Sequence, residues 1–207
     1  MSPIPPLPSR RATRIARVAV GPGRWHWLAF VGVLAATAAV LDAMGRSWWC
    51  SGPSPWMPWS GDIWSRHNSQ HLLDPYAATH VLHGLLLYGA LWLVLGARTS
   101  RAVRGWLALA VEVAWEIIEN TPMVIERYRD TTLALGYYGD SVINSLADIL
   151  SFVAGFWLAA VLPVGLSVTA FVLVEAVLVA TIRDSLTLNV VMLVFPVEAL
   201  KAWQMGG

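Results

Sequence analysis

From Trp25 to Trp203 the chain is a succession of apolar runs, most of them close to the length of a membrane crossing, divided by short polar or Pro/Gly-rich segments. A helix needs ~20 apolar residues to cross the ~30 Å hydrocarbon core. Lipid offers the backbone no hydrogen-bond partner, so such runs must close their own bonds as helices. Composition agrees. Of 207 residues, 57% are hydrophobic and 13% charged, against about a quarter charged in soluble domains. The expectation is an all-α, polytopic transmembrane helix bundle of about six spans, with five as the lower bound. A soluble enzyme, a disordered chain and a nucleic-acid binder are excluded, and the bilayer is the one partner implied. The net charge of +1 names no other partner. The single cysteine, Cys50, excludes an internal disulfide and a cysteine-based zinc cluster. Twelve tryptophans fit a protein with extensive membrane–water interfaces.

Residues 1–24 are a basic tail with Arg10, Arg11, Arg14, Arg17 and Arg24 and no acid. With the apolar run 25–44 they have the layout of a secretory signal, and Arg10-Arg11 suggests the twin-arginine kind. No A-x-A pattern follows and the run is long enough to stay, so it reads as an uncleaved first span. The rest, 25–203, reads as one transmembrane domain. Within it, 45–74 is an external loop rich in Trp and 122–133 an external amphipathic helix at the interface. Further spans are expected over 75–96, where Asp74-Pro75 signals the start, and over 106–120, 139–162 and 164–182. A shorter sixth follows Asp184 or Ser185 and ends near Trp203. No internal repeat suggests a two-fold transporter. A cytoplasmic N-terminus places nine basic residues inside and five outside, the bias that orients inner-membrane proteins. Six spans return the C-terminus to the cytoplasm.

Ionisable residues inside a span are costly and mark function by default. His80 and His83 are neighbours on one helical face. Glu112, Glu116 and Glu119 follow an i, i+4, i+7 stripe, and Asp140, Asn144 and Asp148 an i, i+4, i+8 stripe. Three polar stripes on consecutive spans are best satisfied by facing one another. The topology puts their overlap in the outer half of the bilayer, as a polar cavity opening outward. His80, His83, Glu116, Glu119, Asp140, Asn144 and Asp148 are the candidate catalytic residues. Glu112, with Arg127 and Arg129 above the cavity, is a candidate for holding substrate, the arginines for a phosphate or carboxylate head group. The alternative is that the polar set is interhelical glue and the arginines snorkel. Glu175, alone in the fifth span, reads as protonated or helix-paired; Asp42 and Glu198 read as interfacial. The cluster is open to a divalent metal that activates water, to metal-free His–Glu acid–base chemistry, or to a proton relay. No cofactor is named by the spacing, which is not H-E-x-x-H, and neither is an oligomeric state.

The strings 70–76, Thr79-His80, His83-Gly84 with Tyr88, 115–120, Arg127-Tyr128-Arg129 and 136–148 resemble an uncharacterised family of multi-pass inner-membrane proteins of rhizobia and other alphaproteobacteria. The resemblance is dense over 59–155. It implies a bacterial inner-membrane protein and no particular activity. A fainter likeness runs to the VanZ-like membrane proteins, linked to glycopeptide tolerance, in the order His83, Glu116, Arg127, Asp140, Asn144 and Gly155. By analogy it points the site toward the envelope side. Two functions compete. One is an envelope-facing hydrolase or transferase on a lipid or lipid-linked substrate from the outer leaflet. The other is a non-catalytic assembly or partner subunit whose polar cluster is structural.

Overall fold

The computed structural model describes residues 23–52, 56–132 and 136–206. Arg10, Arg11, Arg14 and Arg17, on which the signal and orientation arguments lean, lie outside the described residues, as does Leu133 at the end of the expected interfacial helix. The described residues form eight α-helices and no strand: α1 Arg24–Ala43, α2 Ala77–Leu95, α3 Arg101–Glu119, α4 Pro122–Thr131, α5 Val142–Val161, α6 Val164–Ile182, α7 Leu186–Val194 and α8 Glu198–Gln204. The chain separates into two compact units, Met1–Ala36 and Thr37–Gly207. The first contributes the exposed start of α1, where the Arg24 guanidinium lies 4.9 Å from the centre of the Trp25 ring.

Helices α1, α2, α5 and α6 are long and apolar enough to cross a membrane. Helix α6 exposes Val164, Leu166, Val168, Val172, Leu173 and Val177, a surface suited to lipid and not to water. Helix α3 carries too many charges to qualify by composition, but its faces differ in kind. Val103, Leu107, Val111 and Ile118 point outward, while Arg104, Ala108, Glu112 and Glu116 are buried. Apolar outside and polar inside is the reverse of a water-soluble helix. These features suggest a membrane protein.

The tightest packing is between α2 and α5. A Cβ on Gly84 would lie 2.2 Å from Phe152 O, and one on Gly155 would lie 2.0 Å from Val81 O. The two backbones touch there, as small residues permit in membrane helix pairs. Gly84 is the residue next to His83, and Gly155 lies two turns from Asp148, so the crossing sets how α2 presents its histidines to α5.

Loop 45–74 is docked on the start of α5. The first N–H groups of a helix have no partner within it. Here Val142 N donates to Ser47 O (2.8 Å) and Ser141 N to Ser69 O (2.9 Å). Gln70 Nε2 donates to Gly139 O at 2.7 Å. Gly139 has φ +93°, a left-handed conformation that favours glycine. The start of α2 comes slightly later than Asp74-Pro75 suggests: Asp74 Oδ1 accepts from Tyr76 N at 2.7 Å and the helix begins at Ala77. Helix α4 has Pro122 in its first turn, as expected of the amphipathic segment.

The final apolar segment differs from the expected sixth span. It is two short helices, α7 and α8, broken at Phe195-Pro196-Val197, because proline supplies no N–H and disfavours helix before it. Nine residues of α7 reach only about 13 Å at ~1.5 Å per residue. The chain then turns back: Gln204 Nε2 donates to Arg183 O (3.0 Å) and to Asp184 Oδ1 (3.2 Å), and Lys201 Nζ donates to Asp130 O. The last helix therefore ends beside the residues that follow α6.

Candidate functional site

The start of α2, the end of α3 and the start of α5 lie at one end of the bundle, and this brings the three stripes together. His80 Nδ1 is 2.7 Å from Glu112 Oε1 and 3.3 Å from Glu116 Oε1. His80 Nε2 is 3.9 Å from Asp148 Oδ2. His83 Nδ1 donates to Glu112 Oε2 at 3.1 Å, so one carboxylate holds both imidazoles. The two rings meet edge-on, 4.9 Å apart. Accepting a hydrogen bond from Nδ1, Glu112 selects the tautomer in which neutral His80 carries its lone pair on Nε2.

A cavity of about 60 Å³ adjoins the cluster, room for a few waters. His80, His83, Glu119, Asp140 and Asp148 line it. Glu112, Glu116 and Asn144 stand one layer behind, fully buried. Neither Glu116 oxygen has a hydrogen-bonding partner among the described residues, nor does either end of the Asn144 amide, Asp148 Oδ1 or Glu119 Oε2. Arg127 and Arg129 are outside the cavity and exposed: Arg127 Nε donates to Leu193 O (2.9 Å) and Arg129 Nε to Tyr137 O. They brace its rim; their expected reach over the cavity is not seen.

Charge spacing alone does not single out the rest of the lining. Asp140 is not in α5, which begins at Val142, but in the turn before it. There it accepts from Tyr137 OH (2.9 Å) and Asn120 Nδ2 (3.0 Å). Tyr128 pairs with Glu119, and burial followed by that carboxylate pushes its phenol well above the ordinary range. Tyr76 donates to Asp184 Oδ2 at 3.0 Å, and burial followed by the Asp184 carboxylate raises its phenol in the same way, so it stays a donor. Burial, and then the charge of Asp140, lifts Asp74 to about 6. Tyr76, Asn120, Tyr128 and Tyr137 all fall within the strings that carry the family resemblance, which is where their signal lay. Leu186, Asn189, Val190 and Leu193 of α7 close one wall, and nothing in their sequence marks them. Glu175 serves this wall by accepting from Ser185 Oγ at 3.0 Å.

Two overlapping donor sets, His80–His83–Glu112 and His80–Glu116–Glu119, have ligand atoms within 4.8 Å of one another. Their nitrogen and carboxylate donors would suit zinc or manganese.

The family described as "Protein of unknown function (DUF2585)" matches residues 41–206. A UPF0314 protein of Sinorhizobium fredii is 48% identical over 183 residues, covering 88% of this chain and 92% of that one. Those of Rhizobium meliloti (47%, covering 86% and 90%) and Paracoccus denitrificans (48%, covering 86% and 91%) are similar to the same extent. No solved structure matches. With most of its length matched at such identity, and its expected strings inside the matched region, the chain belongs to the DUF2585/UPF0314 family.

Proposed function

We propose that the chain is a multi-pass protein of the bacterial inner membrane whose His80 centre performs hydrolysis or group transfer on a lipid or lipid-linked substrate entering from the outer leaflet. The observation that carries this is His80 itself: Nδ1 is held by Glu112, and Nε2 faces the cavity with its nearest acidic oxygen at 3.9 Å, beyond hydrogen-bonding distance. Such a base takes a proton from water or an acceptor hydroxyl; the oxygen attacks the ester or phosphoester, and the His80 imidazolium returns the proton to the leaving oxygen. Glu112 stabilises the imidazolium between those steps. Glu116 and Asn144 act behind it as positioning residues, and Asp148, Glu119 and Asp140 face the substrate. Exposed N–H groups of Arg127 and Arg129 at the rim suit an anionic head group.

Five crossings suit this reading better than six. Helices α7 and α8 enter and return as a pair, leaving the C-terminus on the outer side with the site. Moving Lys201 outward changes the basic count from nine against five to eight against six, which still favours a cytoplasmic N-terminus.

Glu116 Oε2 and Asp148 Oδ1, buried without a hydrogen-bonding partner among the described residues, favour chemistry over glue, since a structural knot satisfies its own polar groups. The test is lipid analysis of a deletion strain complemented with wild type or His80→Gln. One lipid class should accumulate on deletion and persist with His80→Gln present at wild-type membrane levels. Normal lipids with His80→Gln would return the cluster to a structural role.

A further inference from the structure

The single cysteine lies in loop 45–74, buried against two histidines of the same loop. Cys50 Sγ is 3.3 Å from His67 Nδ1, and His67 Nδ1 is 3.1 Å from His71 Nε2. The imidazoles stack with centres 5.2 Å apart. His71 Nδ1 lies 2.5 Å from Met57 O. A carbonyl only accepts, so Nδ1 carries the proton and Nε2 presents a lone pair to the cluster. His67 Nδ1 thus meets a sulfur on one side and a lone pair on the other, and a single proton on it serves only one of them well. Gly52 N donates to Cys50 Sγ at 3.4 Å.

We propose that Cys50, His67 and His71 bind a zinc ion, with the fourth position open to water. The three ligand atoms lie within 4.8 Å of one another. Tetrahedral zinc with Zn–S of ~2.3 Å and Zn–N of ~2.0–2.1 Å needs ligand separations of about 3.3–3.6 Å, close to the 3.3 Å from Cys50 to His67 and the 3.1 Å from His67 to His71. The Nδ1–H of His71 bonded to a carbonyl is the outer-shell arrangement that orients a metal-bound imidazole. Gly52 closes over the cluster: a Cβ there would lie 2.7 Å from His67 Cε1 and 3.2 Å from Cys50 Sγ. His67 is half-buried while the other two are buried, which leaves one side for entry. Among its described residues the loop around these side chains has no helix and one isolated bridge, Trp59–Leu73, so a metal linking its two arms replaces the order that secondary structure would give. Beside His71, Gln70 and Ser69 hold the turn at Gly139 and Asp74. The ion therefore fastens the strap that roofs the His80 cavity, independently of what reaction occurs there. A single cysteine cannot build a cysteine-based cluster, so in this proposal two histidines supply the other ligands.

As the chain has one cysteine, a thiolate-to-metal absorption can arise only here. Full-length protein without a polyhistidine tag is stripped with chelator and titrated with Co²⁺, then with Zn²⁺. The expected result is a near-ultraviolet charge-transfer band with tetrahedral visible bands, saturating at one equivalent and bleached by zinc. His80→Ala should keep the band; Cys50→Ser and His71→Gln should lose it together with one equivalent of tightly held metal. No charge-transfer band in the cobalt-loaded wild type overturns the proposal, and this reading needs no variant to fold. Unchanged zinc content in a folded Cys50→Ser protein overturns it equally.

Discussion

Asp184 shows how much one buried side chain can carry. Its carboxyl collects Tyr76, Asn189 and Gln204, joining α2, α7 and α8, and burial lifts it to about 6 against these opposing bonds. A carboxyl raised on folding stabilises most at low pH, and the benefit is lost as pH climbs from about 4 through 6. About two units correspond to roughly 3 kcal/mol. Unfolding of detergent-solubilised wild type and Asp184→Asn, compared between pH 4 and 7, should show the wild type's relative advantage shrink by that order. A pH-independent difference would refute it. Glu116 makes the opposite kind of prediction. It is fully buried, its one polar neighbour is His80 Nδ1 at 3.3 Å, and neither oxygen makes a hydrogen bond among the described residues, so an amide of the same shape takes away little bonding. Glu116→Gln should leave the melting temperature unchanged or higher while impairing complementation. A loss of more than about 2 kcal/mol would mark it as structural glue.

At the scale of elements, the contact of α2 with α5 at Gly84 and Gly155 decides whether the stripes meet. A Cβ at Gly155 would press on Val81 O at 2.0 Å, and backbone cannot yield as a side chain does. Overpacking of this kind typically costs about 1–3 kcal/mol. Gly155→Leu should part the helices and shorten the protein's life in detergent far more than Gly165→Leu, since Gly165 has open space where a Cβ would stand. Thermal inactivation of the two variants side by side is the check; equal losses would show that the crossing is not tight. The break between α7 and α8 was legible at Pro196, yet summed hydropathy over 186–203 hides it, because a proline does not make a window less apolar.

For the whole molecule, the topology fixes which side of the membrane the cavity faces. Reporter fusions after Gly61 and at the C-terminus should both behave as periplasmic, and one after Thr99 as cytoplasmic. A cytoplasmic C-terminus with the other two as stated would restore a sixth crossing. Swapped results at Gly61 and Thr99 would turn the site toward the cytoplasm and remove the outer-leaflet substrate.

The sequence by itself determined the helical class, the apolar runs that contain the four helices long enough to span, and the three polar stripes. These follow from length and period, which are local properties of a chain that must satisfy its backbone in lipid. It also carried the family, through strings too long to recur by chance. What tertiary structure decided is how those stripes divide. Only packing shows that His80 faces a cavity while Glu112, Glu116 and Asn144 stand behind it, because helical spacing gives a face and not a depth within the cluster. Only packing turns the last apolar segment back on Asp184 to make α7 a wall. And only the fold of a loop without periodicity brings Cys50, His67 and His71 together: irregular backbone has no repeat from which to infer who meets whom, so its contacts exist only once the chain around them is in place.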